Sequence, residues 1–293
     1  MHWTIAALPL LSGCLFFEIQ PITTCDSGLS GWTAVAVGGL HTCGLGPDGR
    51  PVCWGNNELG QLDAPDEVLS AISAGHLHSC GLAEDGAVLC WGDDTRGQAS
   101  PPDGAFVAVS AGFEHSCGVR EDGAVACWGR ADDGRIDAPV GTFAQVSAGW
   151  THSCGVEDSG AVACWGVDDG SEPDQGQVSQ APDGSFVAVQ AGDYHSCARD
   201  GSGALVCWGA APARPDSAAV VQVSAGQGNT CAVTDGGAPI CWGDDAFRKS
   251  TPPDGVSVVQ IETALRGDHS CALEAGGEIL CWGDDLFGQA TTP

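Results

Sequence analysis

The sequence predicts an all-β fold: a seven-bladed β-propeller of about 37-residue repeats, with one hairpin disulfide per blade. Three observations lead there. Fourteen of the 16 cysteines form seven pairs with a spacing of ten: Cys43/Cys53, Cys80/Cys90, Cys117/Cys127, Cys154/Cys164, Cys197/Cys207, Cys231/Cys241 and Cys271/Cys281. Trp-Gly follows the second Cys of every pair, giving Trp54, Trp91, Trp128, Trp165, Trp208, Trp242 and Trp282. The first cysteines recur at steps of 37, 37, 37, 43, 34 and 40 residues. Self-similarity at such a period marks an array of units, none of which can bury its apolar faces alone.

The second copy shows how each unit is built. Residues 69–74 read as one strand and 78–82 as the next. Glu84-Asp85-Gly86 is a three-residue hairpin loop whose glycine supplies a positive φ. Residues 88–92 return. This turn sets Leu82 opposite Val88 and Cys80 opposite Cys90. Counting outward from the turn, the two cysteines form a non-hydrogen-bonded pair, where side chains approach closely enough for a disulfide. One hairpin face then carries His78, Cys80, Leu82, Cys90 and Val88, and the other Ser79, Gly81, Leu89 and Trp91. The residue after each first Cys is Gly or Ala in all seven copies, which we read as room for the diagonal Trp ring. Stacking each Trp face on a neighbour's disulfide face arrays the copies. The linkers, of 10 to 19 residues rich in Asp, Gln, Gly and Pro, have room for a short outer fourth strand with Pro at its edge. An open solenoid would need capping repeats, and the first and last copies keep the full pattern, so a closed ring is expected.

The unit Val109-Ser-Ala-Gly-Phe-Glu-His-Ser-Cys-Gly-Val-Arg-Glu-Asp-Gly-Ala-Val-Ala-Cys-Trp-Gly129 resembles the regulator of chromosome condensation repeat. The bacterial ending Trp-Gly-x-x-x-x-Gly-Gln occurs at Trp54 to Gln61, Trp91 to Gln98 and Trp282 to Gln289. The resemblance spans residues 33–293 and implies a seven-bladed propeller. It implies function poorly, because the family includes a guanine-nucleotide exchange factor, a photoreceptor and secreted enzyme inhibitors. Copies four to seven depart most: there is an insertion at 168–180, no Gly-Gln after Trp208, and Asn229 where the other copies have His.

Composition excludes several classes. The 44 Gly and 16 Pro exceed a fifth of the chain and oppose a helical fold. A formal net charge of −28 with ten basic residues leaves no cluster of positive charge to displace counterions, so nucleic-acid binding is excluded. Residues 1–13 are apolar and too short to span a bilayer, and they read as a secretory signal. Leu11-Ser12-Gly13-Cys14 looks like a bacterial lipobox, implying cleavage before Cys14 and its acylation, although no basic residue other than His2 precedes the apolar run. An unlipidated signal peptide and a buried or disordered N-terminus are the alternatives. The expected organisation is a signal peptide at 1–13, a lipidated Cys14 with a tether over 14–32, and the propeller over 33–293. Such a protein sits in the cell envelope, at the outer membrane or cell surface, held there by acyl chains.

The paired thiols lack the close spacing of a zinc site and are expected as structural disulfides suited to an oxidising compartment. Cys25 is left unpaired. His41, His78, His115, His152, His195 and His269 occur once per blade, at positions that a ring keeps apart. They are expected to hydrogen-bond backbone between blades, with His76 as a surface residue. Acidic pairs follow several Trp-Gly motifs and read as solvated charge. Asp168, Asp169, Glu172 and Asp174 are the densest cluster and a weak Ca²⁺ candidate. No catalytic residue and no cofactor is predicted. The leading functional expectation is a non-enzymatic scaffold for a protein or glycan partner, its binding face at the irregular loops 168–180 and 210–216. The alternatives are an exchange factor acting on a small GTPase, and a lyase or hydrolase using one propeller mouth.

Overall fold

The computed structural model of the chain describes residues 30–293, apart from Ser217. Seven antiparallel three-stranded sheets follow one another along it. They are β1 (Ala34–Val37), β2 (His41–Leu45) and β3 (Pro51–Gly55); β4 (Leu69–Ala74), β5 (His78–Ala83) and β6 (Val88–Gly92); β7 (Phe106–Ala111), β8 (His115–Arg120) and β9 (Val125–Gly129); β10 (Phe143–Ala148), β11 (His152–Glu157) and β12 (Val162–Gly166). The remaining three are β13 (Ala188–Ala191), β14 (His195–Arg199) and β15 (Leu205–Gly209); β16 (Val220–Ala225), β17 (Asn229–Thr234) and β18 (Pro239–Gly243); β19 (Val258–Thr263), β20 (His269–Glu274) and β21 (Ile279–Gly283). The first strand of each blade lines a central channel, and the third is outermost. Among the described residues no helix is long and apolar enough to cross a membrane.

The hairpin register is the expected one. Leu82 pairs with Val88 and Cys80 with Cys90, and the Ala83 N–H donates to Ala87 O at 2.8 Å. All seven cysteine pairs are bridged: Cys43–Cys53, Cys80–Cys90, Cys117–Cys127, Cys154–Cys164, Cys197–Cys207, Cys231–Cys241 and Cys271–Cys281, with Cα atoms 4.0–4.1 Å apart. Each bridge faces the next blade. Cys80, Leu82 and Val88 pack against Phe106 and Trp128, and Cys43 and Leu45 against Leu69 and Trp91. Cys271, Leu273 and Ile279 of the last blade pack against Trp32 and Trp54 of the first, which closes the ring. Trp32, assigned by sequence to the tether, is thus part of the first blade, and its N–H donates to Gly277 O at 2.9 Å.

Two local expectations are corrected. The small residue after the first Cys does not make room for the diagonal Trp. A Cβ at Gly81 would strike Leu69, and one at Gly118 or Gly155 would strike Phe106 or Phe143. The side chain that opens the first strand lies over that glycine and meets the Trp ring from its far side, as Phe106 and Trp128 do at 6.0 Å, edge to face. The fourth strand is also absent, each sheet having three. The linker is spent on a closed loop instead. Gln98 Nε2 reaches back to Asp93 Oδ2 at 2.7 Å and Gln289 Nε2 to Asp284 Oδ2 at 2.9 Å. The second acid of each pair caps the same loop, Asp94 accepting from Ala99 N and Ser100 Oγ at 2.8 and 2.7 Å. A peptide committed to such a loop has no free edge to pair as a strand.

The two halves of a bridge are not equivalent, a difference the matched spacing conceals. The first cysteine, on the middle strand, is wholly buried in every blade. The second lies on the outer strand, and Cys53, Cys90, Cys127, Cys164, Cys207, Cys241 and Cys281 are only half-buried. A solvent thiolate can therefore reach only the second sulfur, and its attack must expel a thiolate into a fully buried site, where charge is costly. Dithiothreitol without denaturant is expected to leave all fourteen bridge cysteines unalkylated, whereas reduction in urea should expose them and add about two mass units per bridge. Alkylation of the seven pairs under native conditions without reductant would contradict the stapled ring.

Candidate functional site at the channel mouth

At one end of the channel, the turns joining first to second strands form a circle in which backbone hydrogen bonds span six of the seven junctions. Gly39 N donates to Gly75 O at 3.2 Å, His76 N to Gly112 O at 3.1, and Phe113 N to Gly149 O at 3.0. Trp150 N donates to Gly192 O at 3.1 Å, Asp193 N to Gly226 O at 3.3, and Gln227 N to Ala264 O at 3.2. The accepting glycines are forced by this approach: a Cβ at Gly149 would collide with the carbonyl of Gly192. The donors bond through their backbone, so the side chains of those after the first, Gly39, are free to vary; a Cβ at Gly39 would strike His76.

Beneath this circle runs a second one made of side chains. Nε2 of His41, His78, His115, His152, His195 and His269 lies 2.7–2.9 Å from the hydroxyl of Ser79, Ser116, Ser153, Ser196, Thr230 and Thr42 of the following blade. The partner is therefore a hydroxyl and not the backbone. Three of these hydroxyls donate onward to a loop carbonyl, Ser116 Oγ to Gln98 O at 3.0 Å, Ser153 Oγ to Arg135 O at 3.1 and Thr42 Oγ1 to Gln289 O at 2.9. There Nε2 must be the donor, and the six buried rings are neutral. Burial enforces this, pushing His41 and His152 down to about 3 and His78, His195 and His269 to about 4, with His115 well below its ordinary value. Asn229 is too short to reach Ser270. The gap is bridged by Thr263, whose hydroxyl accepts from Asn229 Nδ2 at 2.8 Å and lies 3.1 Å from Ser270 Oγ, to which it can donate. Other blades have Ala or Val where Thr263 stands.

Four neighbouring positions of the upper circle build a distinct patch. His76 stacks on Phe113 at 4.8 Å; Phe113 meets Trp150 edge-on at 6.2 Å, and Trp150 meets Tyr194 at 4.8 Å. The turn of the last blade is longer and lies across the opening. Leu265 points into the channel, while Arg266 reaches over to the opposite rim. Its guanidinium lies 4.6 Å from the Trp150 ring centroid and 5.7 Å from that of Phe113. Arg266 has φ +55°, a left-handed conformation costly to a side chain of this size. Asp193 closes the floor. It is fully buried, and neither carboxylate oxygen has a hydrogen-bond partner. Arg266 Nη1 stops 3.9 Å from Oδ2, and burial pushes the Asp193 carboxyl up to about 7 against that charge. His76, expected as a plain surface residue, is half-buried here and pushed down to about 4, chiefly by burial.

The channel below is a cavity of about 240 Å³ lined largely by Ala, Ser and Val. Its one carboxyl, Glu262, accepts from Ser224 Oγ and Gln222 Nε2 at 3.1 Å, and burial pushes it up to about 7. A lone carboxyl among amides is not the converging pair that acid–base chemistry uses. The Ca²⁺ candidate does not assemble either. Asp169 accepts from Ser171 N and Asp174 from the N–H groups of Gly170 and Gly176; Asp168 and Glu172 join neither set. No group of three potential metal-ligating side chains gathers among the described residues. Loops 168–180 and 210–216 do start at the mouth, Val167 N donating to Thr151 O and Ala210 N to Tyr194 O. The bridge cysteines contribute nothing to the mouth. Cys53, Cys127, Cys164, Cys207, Cys241 and Cys281, like Cys90, pack on the interfaces between blades, so their part is structural. Cys14 and Cys25 lie outside the described residues.

Sequence reasoning missed Phe113, Trp150, Asp193, Tyr194 and Arg266. For Phe113, Trp150 and Asp193 the signal was present in the variable slot after Ala-Gly, which also holds His76 and Gln227; Tyr194 and Arg266 lie outside that slot.

The family model of the regulator of chromosome condensation (RCC1) repeat matches residues 32–61, 70–98, 106–135, 143–171, 186–210 and 267–289. No curated protein matches the sequence. Among solved structures, the entire ectodomain of the receptor kinase CR4 from Physcomitrella patens is similar at 26% identity and TM-score 0.73, over 87% of this chain and 74% of that one. The ectodomain of the Arabidopsis thaliana receptor kinase ACR4 is similar at 24% identity and TM-score 0.72, over 87% and 98%. Prp20p from Saccharomyces cerevisiae shares the fold at 17% identity and TM-score 0.50, over 89% and 74%.

Two outcomes test the side-chain circle. Ser116→Ala strands buried His78 Nε2 and removes one donor from Gln98 O, so urea denaturation should show a loss of about 1–3 kcal/mol. A value near zero would sink the assignment. Acid should also destabilise the fold. A buried histidine held below 6.5 takes up its proton on unfolding, so its contribution is complete above about pH 6.5 and drains away as the pH falls towards 4. Asp193 and Glu262, raised to about 7, act in the opposite sense over the same range. Six histidines outweigh two acids, each proton being worth about 1.4 kcal/mol per pH unit. The urea midpoint should therefore fall steadily from pH 6.5 to 4; a midpoint flat across that range contradicts the neutral circle.

Proposed function

The chain belongs to the regulator of chromosome condensation repeat family, and we propose that it is a non-enzymatic binding module of the cell envelope that presents its channel mouth to a protein or glycan partner. The carrying observation is the patch of His76, Phe113, Trp150 and Tyr194 around a buried carboxylate, Asp193, whose oxygens have no hydrogen-bond partner. Aromatic side chains gathered at a surface, with a polar group left unsatisfied, are a binding arrangement and not a packing requirement. The rigid circles beneath hold it in place, which lowers the ordering cost of association.

Seven disulfides fit an oxidising compartment outside the cytosol, and two similar structures are receptor ectodomains. That setting supports the export reading, with residues 1–13 as signal and Cys14 as the acylated anchor. Prp20p has binding properties to Gsp1p and histones, so a propeller of this kind can serve protein partners. Exchange on a cytoplasmic GTPase is the weaker reading here, because a reducing cytosol works against the bridges.

A photo-reactive amino acid tests the face. Placed at residue 150, it is expected to give a discrete cross-linked adduct on intact cells, whereas at residue 85, in the hairpin turn at the opposite end of the blade, it should give none. Adducts from 85 alone would overturn the assignment. Fatty-acid labelling tests the anchor independently: Cys14→Ala should abolish incorporation, and a labelled variant removes the lipobox from the account.

A further inference from the structure

We infer that the mouth is a receptor site for a cationic side chain, a guanidinium or ammonium group carried on a basic segment of a partner protein, and that Arg266 occupies it as a displaceable internal stand-in. The inference rests on the reading of the mouth as the binding face and adds the chemistry of what binds.

The chain's own occupant shows which chemistry fits. A guanidinium already lies over the faces of Trp150 and Phe113, within the distance at which an aromatic quadrupole attracts a cation. The floor is a carboxylate. Cation and carboxylate nevertheless fail to close: 3.9 Å is beyond a hydrogen bond, and Oδ1 and Oδ2 of Asp193 both remain unpaired in a fully buried residue. Such an acceptor lacks donors, and one ammonium or guanidinium brings two or more.

Arg266 cannot supply them well. It enters from the last blade, on the far side of the ring from Trp150 and Asp193, on a turn strained at φ +55°, and its side chain is 32% exposed. A cation arriving from outside is free of that strain and can approach the carboxylate directly. Long-range charge favours the encounter as well, since a chain of formal net charge −28 attracts basic segments. A neutral sugar could stack on the same rings but would gain nothing from the charge. An anionic ligand would meet Asp193.

An alternative role for Arg266 is purely structural, as a latch across the ring. Arg266→Gly separates the two, because glycine accepts this φ without strain and the variant should fold. The probe is N-acetyl-arginine-methylamide, measured by titration calorimetry on the full chain at low salt. Arg266→Gly is expected to bind it at least tenfold more tightly than the unaltered protein. N-acetyl-citrulline-methylamide, its neutral isostere, should bind to neither protein, and Trp150→Ala or Asp193→Asn in the Arg266→Gly background should lose the gain. Equal binding of the citrulline probe, or a Gly variant that loses stability and gains no affinity, overturns the inference. Should a neutral oligosaccharide bind while the arginine probe does not, the mouth remains the binding face and only the cationic chemistry falls. Cross-linking from residue 150 reads that face separately.

Discussion

One backbone carbonyl per blade junction organises this ring. Gln98 O accepts from Ser116 Oγ and from Trp128 Nε1, at 3.0 and 2.9 Å. Lys249 O does the same for Ser270 and Trp282, and Gln289 O for Thr42 and Trp54. At these three junctions both lone pairs of the carbonyl are used, one by the indole that fills the apolar interface and one by the hydroxyl; Gln61 O, Gln177 O and Pro212 O take the indole alone, and Arg135 O takes the Ser153 hydroxyl alone. The Trp-Gly loop exists to deliver that oxygen. Its acids and glutamine fold the loop on itself, so that the carbonyl arrives at a fixed place. Glutamine is replaced at three junctions: by Pro212, whose O accepts from Trp242 Nε1 at 3.2 Å, and at the other two by a buried cation with its own acid. Arg135 pairs with Asp133 and donates to Trp150 O, while Lys249 is held by Asp244, Asp268 and Gln227 O. These two cations therefore anchor the mouth turns from below.

The fold was legible because its constraints are periodic. A spacing of ten between cysteines, a glycine in the turn and a Trp-Gly exit define a hairpin register by themselves, and the sevenfold recurrence defines an array. Errors arose where one residue type suits two geometries. A glycine beside a tryptophan reads as room for that ring, but Gly118 accommodates Phe106 from the strand on its other side. Pro-rich linkers read equally well as edge strands or as loops, and only the Asp-to-Gln hydrogen bond decides between them. The acidic pairs look solvated in sequence because their partners are backbone amides, which no composition reveals.

The mouth was illegible for the opposite reason: it is where the repeat stops repeating. Blade geometry is enforced by residues that recur, so a residue relieved of that duty shows only as noise. Trp150 looks like a stray tryptophan and Arg266 like one of nine scattered arginines. Nothing in the chain's linear order brings residue 266 over residues 113, 150 and 193. Only the closing of the ring does so. Function on such a scaffold is placed where the structural repeat is silent, and the rigidity of the circles lets individual side chains change without loss of the fold.

The acceptor supplied by Gln289 has a temporal implication. Thr42 and Trp54 belong to the first blade yet depend on an oxygen that is added to the growing chain 247 and 235 residues later. A chain emerging from its N-terminus can complete six junctions in order, each blade settling on the one before it. The seventh stays open, with a tryptophan face bare, until the closing segment appears. Premature docking of that face on another molecule is the characteristic hazard of this topology, and compartments that fold it must tolerate or guard the interval.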